Sequence, residues 1–168
     1  MTEPSPWVRR WAPRIPPGKV LDLASGPGRH ARLLLESGFD VVAVDRDPQD
    51  IPGSRFKQAD LEDGSPWPFP EERFQGIVVT NYLPRPLFSH LLASLAPGGV
   101  LIYETFMLGN ERYGRPSNPE FLLGPGELLQ VLRGQVILGF EEGFRGASSH
   151  GPKPSMIQRV CAAKGANG

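Results

Sequence analysis

The 168-residue chain has a single cysteine, Cys161, which excludes a disulfide framework and a cysteine-rich metal site within one chain. Flanked by Val160 and Ala162, that thiol reads as a buried strand position. Net charge is also missing: 18 Lys and Arg cancel 18 Asp and Glu. No basic surplus points to nucleic acid and no polybasic run to a membrane, although a zero sum can hide a local patch. No stretch approaches the roughly 20 apolar residues of a membrane span. Met1–Arg14 holds no apolar run of signal-peptide length, so the expected compartment is the cytoplasm. There is no internal repeat and no low-complexity tract. The 20 glycines and 19 prolines therefore read as turn punctuation rather than disorder.

What is present is an alternation of strand and helix signals. Residues 1–18 form an N-terminal segment expected to pack on the fold, with Trp7 and Trp11 one helical turn apart and a break at Pro16-Pro17-Gly18. From residue 19 to 168 a single domain is expected. Lys19–Leu23 is a short strand and His30–Ser37 a helix with Ala31, Leu34 and Leu35 on one face. Val41–Val44 has the continuous apolar character of a strand covered on both sides. Ser54–Ala59, Gly76–Thr80 and Val100–Glu104 supply three more strands, with a helix over Leu87–Leu95. Residues 106–125 are a long loop, and Glu127–Arg133 is a helix. Val136–Glu141 and Ser155–Ala163 end the chain as two strands with no helix between them. Such a series predicts an α/β fold of the Rossmann-like, doubly wound kind. Its seven-stranded sheet is mostly parallel, with helices on both faces and an antiparallel C-terminal edge strand.

In such sheets ligands bind beyond the carboxyl ends of the strands. Three acids fall there. Asp22 is among the last residues of the first strand, two before the turn Ala24-Ser25-Gly26-Pro27-Gly28. Asp45 ends the second strand, and Asp60 follows the third. Gly26-Pro-Gly28-Arg-His-Ala31 also fits the dinucleotide fingerprint, whose glycines admit close backbone approach and whose later acid binds a ribose. Any one of these acids alone reads as a turn or cap residue. Three in succession on one rim read as a ligand site.

The segments DLASGPGRHA, VVAVD, QADLED, FQGIVVTNYL and LAPGGVLIYETF, in that order, resemble the successive motifs of class I S-adenosylmethionine-dependent methyltransferases. The resemblance spans roughly residues 18–163. The stretch from Glu104-Thr105-Phe106 to Glu127-Leu128 is similar to the tellurite-resistance-type branch. The resemblance implies S-adenosylmethionine as cofactor. Asp22 would orient its methionine amine, and Ala24, Gly26 and Gly28 would form the turn beneath it. Asp45, with Arg46 beside it, would hold the ribose. Asp60 with the Leu61 backbone would read the adenine, and Asn81 would line the transfer site. No metal is implied.

On the acceptor side the candidates are Asn81, Tyr82, Glu104 and Tyr113, with His90 considered as a base and His30 as a cofactor contact or cap. The loop aromatics, its Arg112 and Arg115, Tyr82 and the Trp7/Trp11 segment are expected to wall an acceptor pocket. Thr80-Asn81-Tyr82-Leu83 lacks the Asn/Asp-Pro-Pro-aromatic form of nucleic-acid amino methylases. A small-molecule acceptor is therefore expected. The alternatives are an RNA or protein methyltransferase working with a partner, an NAD-dependent oxidoreductase, or a cofactor-binding protein without activity. Oligomeric state is not legible.

Overall fold

A computed structural model describes residues 3–147 and 153–165. One continuously apolar strand is β2 (Asp40–Asp45), apolar at Val41 through Val44 and buried at each of those positions. A strand of that kind is satisfied only between two covering layers. Val42 and Val44 enter one apolar layer, Val41 and Ala43 the other. β1 (Lys19–Leu23) divides in the same way, with Leu21 and Leu23 on one side and Val20 on the other.

The remaining strands are β3 (Arg55–Gln58), β4 (Phe74–Thr80), β5 (Leu95–Phe106), β6 (Val136–Arg145) and β7 (Ser155–Ala163). They make one seven-stranded sheet in the order β3-β2-β1-β4-β5-β7-β6. The first five in that order are parallel, and β7 is antiparallel to both β5 and β6. The expected antiparallel pair thus closes that side of the sheet, with β7 inside and β6 outermost. α1 (Pro6–Trp11) and α2 (Arg29–Glu36) cover one face through Trp7, Val8, Ala31 and Leu34. α3 (Phe88–Ser94) and α4 (Glu127–Val131) cover the other through Leu91 and Leu128, helped by Trp67 and Phe69. Among the described residues no helix is long and apolar enough to cross a membrane.

Winding reverses between β1 and β4, which opens a crevice beyond their carboxyl ends. Register carries the rim across: Leu23 lies opposite Val44 and Val79, and Thr80 opposite Glu104. The residues that follow each strand therefore converge.

Two expectations are revised. Trp7 and Trp11 do not wall a pocket. Trp7 is 2% exposed, its Nε1 donates to the Val160 carbonyl at 3.1 Å, and the two rings meet edge to face. They anchor the N-terminal segment to the sheet. The long loop also is no free lid. Leu108 N–H donates to Leu123 O at 2.9 Å and Leu123 N–H to Phe106 O at 3.0 Å, so its two ends are stitched together. Arg85 grips the far end, donating to Glu127 and to the carbonyls of Glu120 and Leu122.

Candidate active site

The turn after β1 is held by its neighbour strand. Ser25 N–H donates to Val44 O at 3.0 Å and Gly26 N–H to Asp45 Oδ2 at 2.9 Å. Asp45 Oδ1 accepts from Asp47 N–H at 3.0 Å, so the carboxylate fixes two loops at once. Ala24 and Gly26 both sit at left-handed φ, +54° and +53°. A Cβ on Gly26 would meet nothing within 4 Å, so the loop presents an open cradle there. Gly28 differs: its Cβ would lie 2.8 Å from Ile51. The missing side chain at Gly28 is thus accounted for by the packing of Ile51. Gly28 makes room for the core, and Gly26 is the open position.

Beside the cradle lies a cavity of about 280 Å³ lined by Ala24, Asp45, Arg46, Asp60, Leu61 and Tyr82, among others. Asp60 Oδ1 accepts from the Glu62 N–H at 2.9 Å, which turns the chain so that Leu61 faces the same space. Tyr82 stands here, on the side of Asp45 and Asp60. Burial first, then the Glu62 and Asp60 carboxylates, push its phenol up to about 12, which makes it a poor proton acceptor or donor near neutrality.

Asp22 lies in β1 and is 2% exposed. Its Oδ2 has no hydrogen-bond partner. Burial pushes its carboxyl up to about 7, opposed by the Ala31 backbone N–H and by Arg29. An unpartnered buried carboxyl oxygen implies a missing cation or donor. His30 is a structural histidine. Its Nε2 accepts from the Ser5 N–H at 2.9 Å, and burial, with Arg29, pushes it down to about 3.

Asn81 and Tyr82 are consecutive, yet they line different cavities. Asn81 has φ +55° and its N–H donates to Glu104 O at 2.9 Å. It faces a second cavity, of about 490 Å³, between the long loop and the β6–β7 end, lined by Tyr113, Arg115, Arg145, Lys153 and Ser155 among others. Asn110 braces this wall, donating to Pro116 O at 2.9 Å and accepting from Met156 N–H at 3.0 Å. Tyr113, 44% exposed, leans on Phe144. Arg112 is not part of the lining.

Glu104 is buried and fully engaged. It accepts from Ser5 Oγ at 3.0 Å, Arg145 Nη1 at 3.4 Å and Arg159 Nη1 at 3.3 Å. A carboxylate so occupied orients arginines and is not a free base. His90 stacks on Trp67 at 5.6 Å, over the 65–73 segment, and lines neither of these cavities. Sequence reasoning missed Ser5, Arg145 and Lys153. Arg145 was missed because the strand expected to end at Glu141 in fact runs on to pair Arg145 with Ser155.

A family described as a methyltransferase domain matches residues 2–122, and the chain belongs to that family. Protein-L-isoaspartate O-methyltransferase of Chlorobaculum tepidum is 34% identical over 112 residues, 59% of this chain and 50% of that one. Trans-aconitate 2-methyltransferase of Methylobacterium nodulans is 32% identical over 111 residues, 60% of this chain and 43% of that one. The chain thus spans half or less of the length of these curated relatives. The crystal structure of TehB from Haemophilus influenzae superposes with a TM-score of 0.73 at 19% identity, covering 94% of this chain and 61% of that one. A TehB-like S-adenosylmethionine-dependent methyltransferase from Corynebacterium glutamicum gives 0.63 at 22%, covering 94% and 86%. At such identities the superpositions speak for the fold. S-adenosylmethionine is the cofactor, and the residues present fit it: an open glycine cradle, a rim of acids, and a buried carboxyl oxygen without a partner.

Proposed function

We propose that this protein transfers the methyl group of S-adenosylmethionine to a small molecule in the cytoplasm. The observation that carries the reading is the pair of cavities whose linings include the consecutive residues Asn81 and Tyr82, just beyond the carboxyl end of β4. In the first, Asp45 takes the ribose hydroxyls and Asp60 with the Leu61 backbone takes the adenine. Gly26 lets the backbone approach, and Asp22 receives the methionine amine. The cofactor supplies an activated sulfonium methyl, so the chain's task is to align donor and acceptor, which can supply much of the rate. The second cavity, at about 490 Å³, has the size of a small-molecule site. Among the relatives, one is named for a small organic acid and another for isoaspartyl protein.

Titration calorimetry tests this. S-adenosylmethionine and S-adenosylhomocysteine should bind in the micromolar range, about −8 kcal/mol. Binding of NADH in their place, or no binding, would sink the reading.

A further inference from the structure

The second cavity has a charge that the reaction class does not require. Among the described residues its lining contains Arg115, Arg145 and Lys153, and no Asp, Glu or His. Arg145 is the most fixed of the three, since its side chain is only 22% exposed. Its Nε donates to Ser155 Oγ at 3.2 Å and its Nη1 to Glu104 at 3.4 Å. Glu104 also pairs with Arg159, which Glu141 holds in turn at 2.6 Å, so the charges behind Arg145 balance and the surplus positive charge of the lining is that of Arg115 and Lys153. A guanidinium braced from behind is a preorganised anion receptor. The carboxylate of a bound cofactor would neutralise one of the three cations at most.

Resting on the cofactor reading above, we infer that the acceptor is a small acid with two or more carboxylates, and that one carboxylate oxygen is the atom methylated. Arg145 is its fixed anchor, and Arg115 and Lys153 hold it from the open side. The step balances without a proton. The acceptor oxygen forms a bond to the methyl carbon as the carbon–sulfur bond breaks, and the electron pair stays on sulfur. The sulfonium charge and one carboxylate charge disappear together, leaving a methyl ester and a thioether. An alcohol or ammonium acceptor must shed a proton; the described lining of this cavity has no His or carboxylate to take it, and Glu104 behind Arg145 is already engaged by Ser5, Arg145 and Arg159.

The test uses protein saturated with S-adenosylhomocysteine and titrated with trans-aconitate, succinate and spermidine. The acids should bind and weaken with salt, and spermidine should not. Arg145→Gln and Arg115→Gln should each weaken acid binding about tenfold, with S-adenosylhomocysteine affinity unchanged. Arg115 is exposed, so its variant carries little folding risk. In parallel, methyl-labelled donor and a small-metabolite extract should give products that release labelled methanol in mild alkali. Failure of both acids to bind to protein that does bind S-adenosylhomocysteine overturns the inference and leaves the cofactor reading standing. Alkali-stable label overturns it as well. Loss of S-adenosylhomocysteine affinity in the arginine variants would assign these cations to the cofactor. A protein that binds no S-adenosylhomocysteine would strike the cofactor reading instead.

Discussion

The two cavities on the sheet rim are opposite in sign. The one beside the glycine turn is lined by Asp45, Asp47, Asp60 and Glu62 against a single Arg46. The one under the long loop has Arg115, Arg145 and Lys153 and no acid among the described residues. Two consecutive residues divide between them, Tyr82 lining the first and Asn81 the second. A donor that carries a sulfonium and an amine suits the first, and an anionic acceptor the second. The balanced total of 18 and 18 charges conceals this division. Net charge describes solubility and long-range fields, and a site is decided by what lies within a few ångströms.

The comparison breaks most sharply at the glycines. Gly26→Asn keeps a residue tolerant of left-handed φ while filling the cradle. It should abolish cofactor binding by calorimetry with the melting temperature nearly unchanged. Gly28→Val should instead damage the fold. Its Cβ meets Ile51 at 2.8 Å in a left-handed backbone, at a cost of about 3 kcal/mol or more. Equal loss of stability in both would erase the distinction between cradle and core.

Next in size is a pH effect on the donor side. Asp22, raised from 3.8 to about 7, keeps its proton in the folded chain where the unfolded chain has lost it. Its contribution therefore falls as pH rises from about 4 to about 7. His30, lowered from 6.5 to about 3, is neutral in the fold where the unfolded chain is protonated. Its contribution is complete above about 6.5 and is lost as pH falls. Between pH 7 and pH 5 the two oppose each other, by about 2 kcal/mol each. In denaturant titrations Asp22→Asn should lose stability on acidification relative to wild type, and His30→Gln should gain it. Parallel pH profiles in all three proteins would contradict the burial of both groups.

A smaller effect is expected at Asp45. Asp45→Ala should weaken S-adenosylmethionine about tenfold, losing a charge-assisted partner and loosening the turn. Acid binding in the second cavity of S-adenosylhomocysteine-saturated protein should not change. Smallest of all, Arg112→Ala should leave acceptor kcat/KM unchanged, because Arg112 lies outside the lining. A clear loss there would move the acceptor site along the loop.

Most of the sheet was legible because period and punctuation are local. Asp45 and Asp60 could be placed by counting strands, since a residue that ends a parallel strand must lie on the rim. The acceptor side was harder to read. Arg145 and Lys153 reach it through a strand that pairs back between two others, and no local pattern reports that. Glu104 was placed at the correct edge, but its engagement depends on Ser5, 99 residues away in sequence. Gly28 shows a third kind of limit. A glycine spared for ligand and one spared for Ile51 look alike in a string.

The insertion of β7 between β5 and β6 also sets an order in time. The lining of the acidic cavity comes from residues 24–82, whereas the basic cavity draws on residues 81–155. Synthesis delivers the N-terminal part first. β6 emerges with no strand to pair with until β7 follows and threads in beside β5. The acidic cavity's residues are therefore all synthesised before the basic cavity's are complete. A chain stalled before Ser155 would contain every lining residue of the acidic cavity and lack part of the basic one's.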